Sequence, residues 1–217
     1  MSINLGQEPL LLILLIFLEL LFVFIPAYIT KFPDNSTLKE ELLAMGFTKS
    51  QSPPLMQTIK FLSGVCIGFG FLIISDYLLF FLKTFITENI FGTEFLQQAE
   101  EGAINTSPVE PNIIEQLIIT ILFMLIVAPS EEAFFRGFIA KRFYQDSHNL
   151  LALLVSSTFF AIYHVPPFIV PIQTIITFFG YYFFFGFILA IIFKISKYSL
   201  IPVVVAHATF NFLLIFY

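Results

Sequence analysis

The sequence predicts an all-α, polytopic membrane bundle of about six transmembrane helices, each using roughly 20 mostly apolar residues to cross the hydrocarbon layer. Three observations carry that prediction. Of the 217 residues, 58% are hydrophobic and only 12% are charged, whereas soluble domains carry about 25% charged residues. The mean hydropathy is +0.93. The apolar residues fall in long runs without the alternation of barrel strands, so lipid-exposed backbone groups must be satisfied within helices.

The same composition excludes disorder, collagen-like repeats and coiled coil. Phe is the extreme residue, with 31 copies and no Trp. A net charge of −5 removes the basic field that a nucleic-acid partner requires. Cys66 is the single cysteine and forms no internal disulfide.

The elements follow in order from the apolar runs. The first span covers 9–29. It reads as a retained helix rather than a secretory signal, because no Lys or Arg precedes it, the apolar run is too long and Glu19 interrupts it. The second covers 61–82, and the third 113–143 with a kink expected at Pro129. The fourth covers 150–163, the fifth 168–193 and the sixth 200–217. Between the first two spans, 38–45 is a short amphipathic stretch suited to the membrane surface. The segment 88–112 is an acidic loop, and a turn over 145–149 joins the third and fourth spans as an antiparallel hairpin. No internal repeat or glycine-rich phosphate loop is visible, so 1–217 reads as a single integral membrane domain with its chemistry-bearing motifs in 113–217.

Basic residues orient the bundle. The first loop holds Lys31, Lys39, Lys49 and Lys60, the third Lys141 and Arg142, and the fifth Lys194 and Lys197. The second holds only Lys83 among many acids. Loops 30–60, 141–149 and 194–199 are therefore expected in the cytoplasm, in a multi-pass protein of the cell membrane.

Ionisable residues inside a span cost about 2.5–3.5 kcal/mol at its centre, so they are where function is sought. The third span carries Glu131, Glu132 and Arg136. Glu132 and Arg136 stand four apart, share a helix face and can pair. Glu131 lies about 100° around the helix, beside a like charge and in an apolar setting, the surroundings that suit a general base. A salt-bridge cluster at a helix end is the alternative. His164 closes the fourth span four residues after Phe160, where a capping or interfacial role competes with a catalytic one. His207 and Asn211 share one face of the sixth span, an arrangement that lines a cavity more often than it meets lipid.

Depth connects these residues. Glu131 lies ten residues before Lys141 and His207 ten after Lys197, each about 15 Å from the same side at the helical rise. His164 follows His148 by sixteen, about 24 Å by the same rule. Glu131, His164, His207 and Asn211 are thus expected to meet inside the membrane, where they suit water activation and oxyanion stabilisation.

With these residues in order, the sequence resembles the CAAX protease and bacteriocin-processing family of intramembrane endopeptidases. Its motifs, Glu-Glu-x-x-x-Arg, Phe-x-x-x-His and His-x-x-x-Asn, correspond here to Glu131, Glu132 and Arg136, to Phe160 and His164, and to His207 and Asn211. The resemblance covers 113–217, and the first two spans match none of its motifs. It implies peptide-bond hydrolysis within the bilayer, with Glu131 and His164 activating water and His207 and Asn211 forming the oxyanion site. Glu132 and Arg136 would then hold the helix and its base in place. Asn at 211 resembles the CAAX-cleaving branch, whose substrates are prenylated C-terminal peptides, so a peptide or lipidated-peptide substrate and membrane lipid are the expected partners. The sequence assigns no oligomeric state.

No cofactor is expected, with zinc as the alternative. Glu131, His164 and His207 are a two-His, one-carboxylate set of the kind zinc accepts. No His-Glu-x-x-His pattern places two ligands on one helix, and Asn211 suits an oxyanion better than zinc. The family resemblance also implies a glutamate-dependent enzyme. Outside the motifs, Glu19 and Asp76 are intramembrane acids that suit a proton path. Alternatively, Glu19 is protonated or pairs with another helix, and Asp76 sits in a wet interfacial pocket. Ser156, Ser157 and Thr158 read as helix residues that bond their own backbone carbonyls or pack against a neighbour. A proton-relaying transporter is the competing class. Its discriminating feature, broken helices in repeated halves, has no counterpart in the sequence, and a non-enzymatic immunity-type membrane protein is a further alternative.

Overall fold

A computed structural model describes residues 3–47, 52–106, 112–145 and 149–216. The chain is a helical membrane protein. Four helices are long and apolar enough to cross a membrane: α1 (Pro9–Thr30), α3 (Pro54–Phe91), α5 (Ile113–Tyr144) and α7 (Ile172–Ile195). Two shorter apolar helices are α6 (Asn149–His164) and α8 (Leu200–Phe216). The small helices α2 (Leu38–Ala44) and α4 (Thr93–Glu101) lie between the long ones. A two-residue parallel pairing of β1 (Ile3–Asn4) with β2 (Ile104–Asn105) ties the N-terminal end to the segment after α4.

Local chemistry explains several helix ends. Thr37 caps α2 by accepting from the Glu40 N–H at 3.3 Å, while the Glu40 carboxylate accepts from the Thr37 N–H at 2.7 Å. This reciprocal box satisfies two otherwise orphaned donors. The Thr37 N–H and the Thr37 hydroxyl, which donates to the same carboxylate at 2.9 Å, hold the exposed Glu40 carboxyl below its ordinary pKa. Asn112 and Glu115 cap α5 in the same way. Gly92 ends α3 at φ 90°, a left-handed conformation that residues with a Cβ rarely adopt.

Two segments differ from the sequence expectation. The fifth span begins at Ile172 rather than 168, because Pro166, Pro167 and Pro171 break the run. The Ile169 and Val170 N–H groups instead turn back onto the Pro166 carbonyl, at 2.9 and 3.1 Å. The acidic loop contains α4, whose Ala99 carbonyl accepts from the Thr174 hydroxyl of α7 at 2.8 Å. The hairpin turn falls largely on 146–148, outside the described residues.

Around Pro129, where a kink is expected, the helix ladder is irregular. Proline cannot donate to the helix ladder and clashes with the carbonyl four residues back. The preceding turn, Phe123–Val127, is wound wide as a π-helical segment, and a register shift of this kind absorbs such a misfit. A second wide stretch, Ala133–Ala140, follows Glu132. The two carboxylates therefore sit on a short α-helical segment, Ala128–Glu132, between two irregular ones.

Packing brings the motif helices together. α3 lies against α8 through Gly64 and Gly68. A Cβ on Gly68 would stand 2.7 Å from the Ala206 carbonyl, so only glycine permits this approach. The main core joins α3, α7 and α8, with Phe71 edge-on to Phe185 at 4.8 Å and Phe185 stacked on Phe210 at 5.3 Å. A second cluster seats Leu12 and Ile16 of α1 against Ile119 and Val127 of α5.

Candidate active site

The polar centre is built on α5. Glu132 and Arg136 are fully buried, and their one-turn spacing forms an ion pair of 3.0 Å. Part of the remaining hydrogen-bonding capacity of the two charges finds partners, while Glu132 Oε2 and Arg136 Nε have none among the described residues. Arg136 donates its second terminal N–H to the Gly186 carbonyl of α7 at 3.1 Å, and its guanidinium lies 4.6 Å over the Phe160 ring of α6. The oxygen of Glu132 that receives Arg136 also accepts from His207 Nδ1 of α8, at 2.9 Å. One pair of charges thus clamps α5, α6, α7 and α8.

Glu131 points to a different set of neighbours. Its Oε2 stands 3.9 Å from Nε2 of His164 and 3.9 Å from Nε2 of His207. Both distances are too long for a direct hydrogen bond. A water donating to the carboxylate and to the His164 Nε2 fits between that pair. That same Oε2 is buried and has no hydrogen-bond partner among the described residues. His164 donates Nδ1–H to the Phe160 carbonyl at 2.9 Å, which leaves Nε2 as the lone-pair nitrogen facing Glu131. The Tyr182 ring stacks on His164 at 4.5 Å and Phe160 at 4.3 Å, fixing its plane.

Glu131, His164, His207 and Asn211 all line one cavity of about 610 Å³. The rest of its wall is mostly apolar, with Leu12, Ile16, Phe71 and Phe185 among the lining side chains. The residues singled out from sequence on three separate helices are therefore gathered at one place, Phe160 packing behind them. This low-dielectric pocket holds a carboxylate, two imidazoles and an amide. The set can take a proton from water and stabilise an oxyanion. Among the described residues no group of three His, Cys, Asp or Glu is arranged to hold a metal ion.

A family model described as Rce1-like, the type II CAAX prenyl endopeptidase Rce1-like family, matches residues 113–213. Over that segment the chain is similar to the Rce1-like family. The match takes in α5, α6 and α7 and nearly all of α8, hence every residue of the carboxylate–histidine cluster and Asn211, and it leaves out α1 and α3. The Rce1-like family gives the general class: a CAAX-type intramembrane endopeptidase, a protease whose substrates are peptides or prenylated proteins. No curated protein and no solved structure matches the chain.

Beyond the matched segment, the cavity has a wall from α1. Glu19 lines it, and its Oε1 accepts a hydrogen bond from the Tyr163 hydroxyl of α6. An acid in an otherwise apolar span was the sequence signal, and of the alternatives it raised, pairing with another helix is the one observed. Asp76 is on the exposed side of α3, while its neighbour Ser75 is buried and hydrogen-bonded to Tyr181 at 2.7 Å. Ser156 donates to the Phe135 carbonyl at 2.8 Å and Ser157 to the Leu153 carbonyl at 2.6 Å, the backbone bonding expected of hydroxyls in a span.

Proposed function

We propose that the protein hydrolyses a peptide bond within the bilayer using water activated by Glu131 and His164, on prenylated, CAAX-type C-terminal peptides or other membrane-bound peptides. The observation that carries this reading is the convergence of both imidazole Nε2 atoms on the unpartnered Glu131 oxygen, at 3.9 Å each. Water held between Glu131 and His164 attacks the scissile carbonyl carbon as Glu131 takes its proton. The carbonyl oxygen becomes an oxyanion that accepts from the Asn211 amide and from His207. For that role His207 carries a proton on Nε2 besides the one Nδ1 gives to Glu132, and the carboxylate clamp supports the second charge. Collapse of the intermediate breaks the C–N bond, and the proton held by Glu131 passes to the leaving nitrogen.

The chemistry needs no metal. In this reading Asn211 serves the oxyanion, a role its amide suits better than zinc binding. The test is a peptidase assay on detergent-solubilised protein, comparing prenylated CAAX peptides with unmodified membrane peptides. Cleavage is expected to persist at full rate after chelation with metal content checked. Loss of activity that zinc restores would overturn the metal-free reading, and failure to cleave either peptide class would overturn the function.

The distribution of basic residues supports a cytoplasmic side for 30–60, 141–149 and 194–199 in a cell-membrane protein. In a Cys66→Ser background, Lys39→Cys and Lys194→Cys are expected to react with a membrane-impermeant maleimide only after cells are opened. Labelling of either in intact cells would reverse the orientation.

A further inference from the structure

The Rce1-like segment does not include α1, yet α1 contributes a carboxyl group to the cavity wall. α1 consists of two helical halves, Pro9–Leu18 and Leu21–Thr30. At the joint, the Glu19 and Leu20 N–H groups bond three residues back, to Ile16 and Phe17 at 3.1 and 3.2 Å, a tightened turn. Glu19 is the residue at that joint. Its Oε1 accepts from the Tyr163 hydroxyl, and its Oε2 is buried with no hydrogen-bond partner among the described residues. It lines the same cavity as Glu131 and interacts with it electrostatically. An acid at this depth is disfavoured in a span, where leucine would insert more readily.

Tyr163 connects this carboxyl to the chemistry. It directly precedes His164, its ring standing edge-on to the imidazole at 5.1 Å and edge-on to Phe22 of α1 at 4.9 Å. α6 ends at His164, and the chain then turns at Pro166 and Pro167. The last turn of α6 thus gains a polar anchor to α1 at the point where a terminal turn is prone to fray. Fraying there would move the His164 imidazole away from Glu131.

We propose that Glu19 is a positioning residue for hydrolysis, holding the Tyr163 hydroxyl and thereby the last turn of α6, so that His164 keeps its place opposite Glu131. The inference rests on the proteolytic reading above. It adds α1, which lies outside the family segment, to the parts that the active site requires.

The test is a set of variants assayed with the peptide that the wild type cleaves. Glu19→Leu and Tyr163→Phe are each expected to lower kcat about tenfold, the scale of one hydrogen bond to a carboxyl group, with KM changing less than about twofold. The double variant is expected to be no slower than either single one, because both remove the same bond. Glu19→Gln keeps an acceptor for Tyr163 and is expected to restore kcat to within about threefold of wild type.

Wild-type kcat in folded Glu19→Leu or Tyr163→Phe overturns the proposal, as do losses that multiply in the double variant. A lowered Tm with unchanged kcat makes the contact merely structural, and overturns it too. Tyr163→Phe retains the ring and decides the matter alone should Glu19→Leu not fold. Wild-type cleavage with unaffected variants refutes this inference only, whereas an inactive wild type refutes the proteolytic reading and this inference with it.

Discussion

Glu131→Gln is expected to lower kcat by about three orders of magnitude, within the range of a lost general base, while the Tm of the solubilised protein stays level or rises. The activity loss follows from chemistry. An amide cannot take the proton of the attacking water, although it keeps the shape and one acceptor oxygen of the acid. The stability expectation follows from the partners. Glu131 Oε2 makes no hydrogen bond among the described residues, and the adjoining Glu132 is a buried like charge. The substitution therefore removes a repulsion and breaks no bond of that oxygen. A residue whose removal relaxes the fold yet halts the reaction is one retained for catalysis. His164→Ala is expected to share the activity loss, because Nε2 is the second group facing the water. Wild-type cleavage by either purified variant would overturn the assignment. A Tm fall as large as that of an Arg136 variant would show that Glu131 is a structural member of the clamp instead.

The spans were legible because lipid imposes one simple requirement, an apolar run long enough to cross it. The 113–143 run and α5 agree closely for that reason. Helix ends obey other rules. α3 begins at Pro54 and ends at Phe91, well beyond the 61–82 apolar stretch, because a helix continues past the hydrocarbon as long as caps and ladder bonds permit. α4 escaped notice because it is short and acidic, its stability drawn from Ala99 and Thr174 rather than from an apolar face of its own. The wide turns of α5 leave no compositional trace, since they concern the register of backbone bonds and not the identity of side chains.

The site was legible to the extent that depth along a helix can be counted from a basic loop. That arithmetic brings Glu131 and His207 to one level, and both meet at 3.9 Å. It cannot report which residues of different helices face each other laterally. The Glu19–Tyr163 bond joins positions 144 apart in sequence, and Gly186 receives Arg136 through its backbone carbonyl, a group every residue possesses. Spacing along the helix pairs Glu132 with Arg136. The second role of Glu132, orienting His207, depends on how α8 is seated by the Gly64 and Gly68 contacts, a packing detail that spacing does not encode.

Arg136→Met is expected to destabilise the protein by roughly 3–5 kcal/mol, the cost of leaving one member of a buried ion pair without its partner. Both side chains of the pair are fully buried. The second oxygen of Glu132 already lacks a hydrogen bond among the described residues. Methionine fills much of the volume but supplies no donor, so the Gly186 carbonyl loses the bond it receives from Arg136, and Glu132 retains only His207. Arg136→Lys separates charge from geometry. A lysine keeps the positive charge but cannot replicate the planar fork that reaches Glu132 and Gly186 together, and its compact ammonium loses the stacking over Phe160. Its Tm is expected to fall between those of the wild type and Arg136→Met. Activity should fall in the same order, because His207 is oriented by the oxygen that Arg136 holds in place. Thermal unfolding of the three proteins in one detergent decides the point. Equal Tm values would show that the clamp contributes little to the fold, and that Glu132 is held by its contacts with α8.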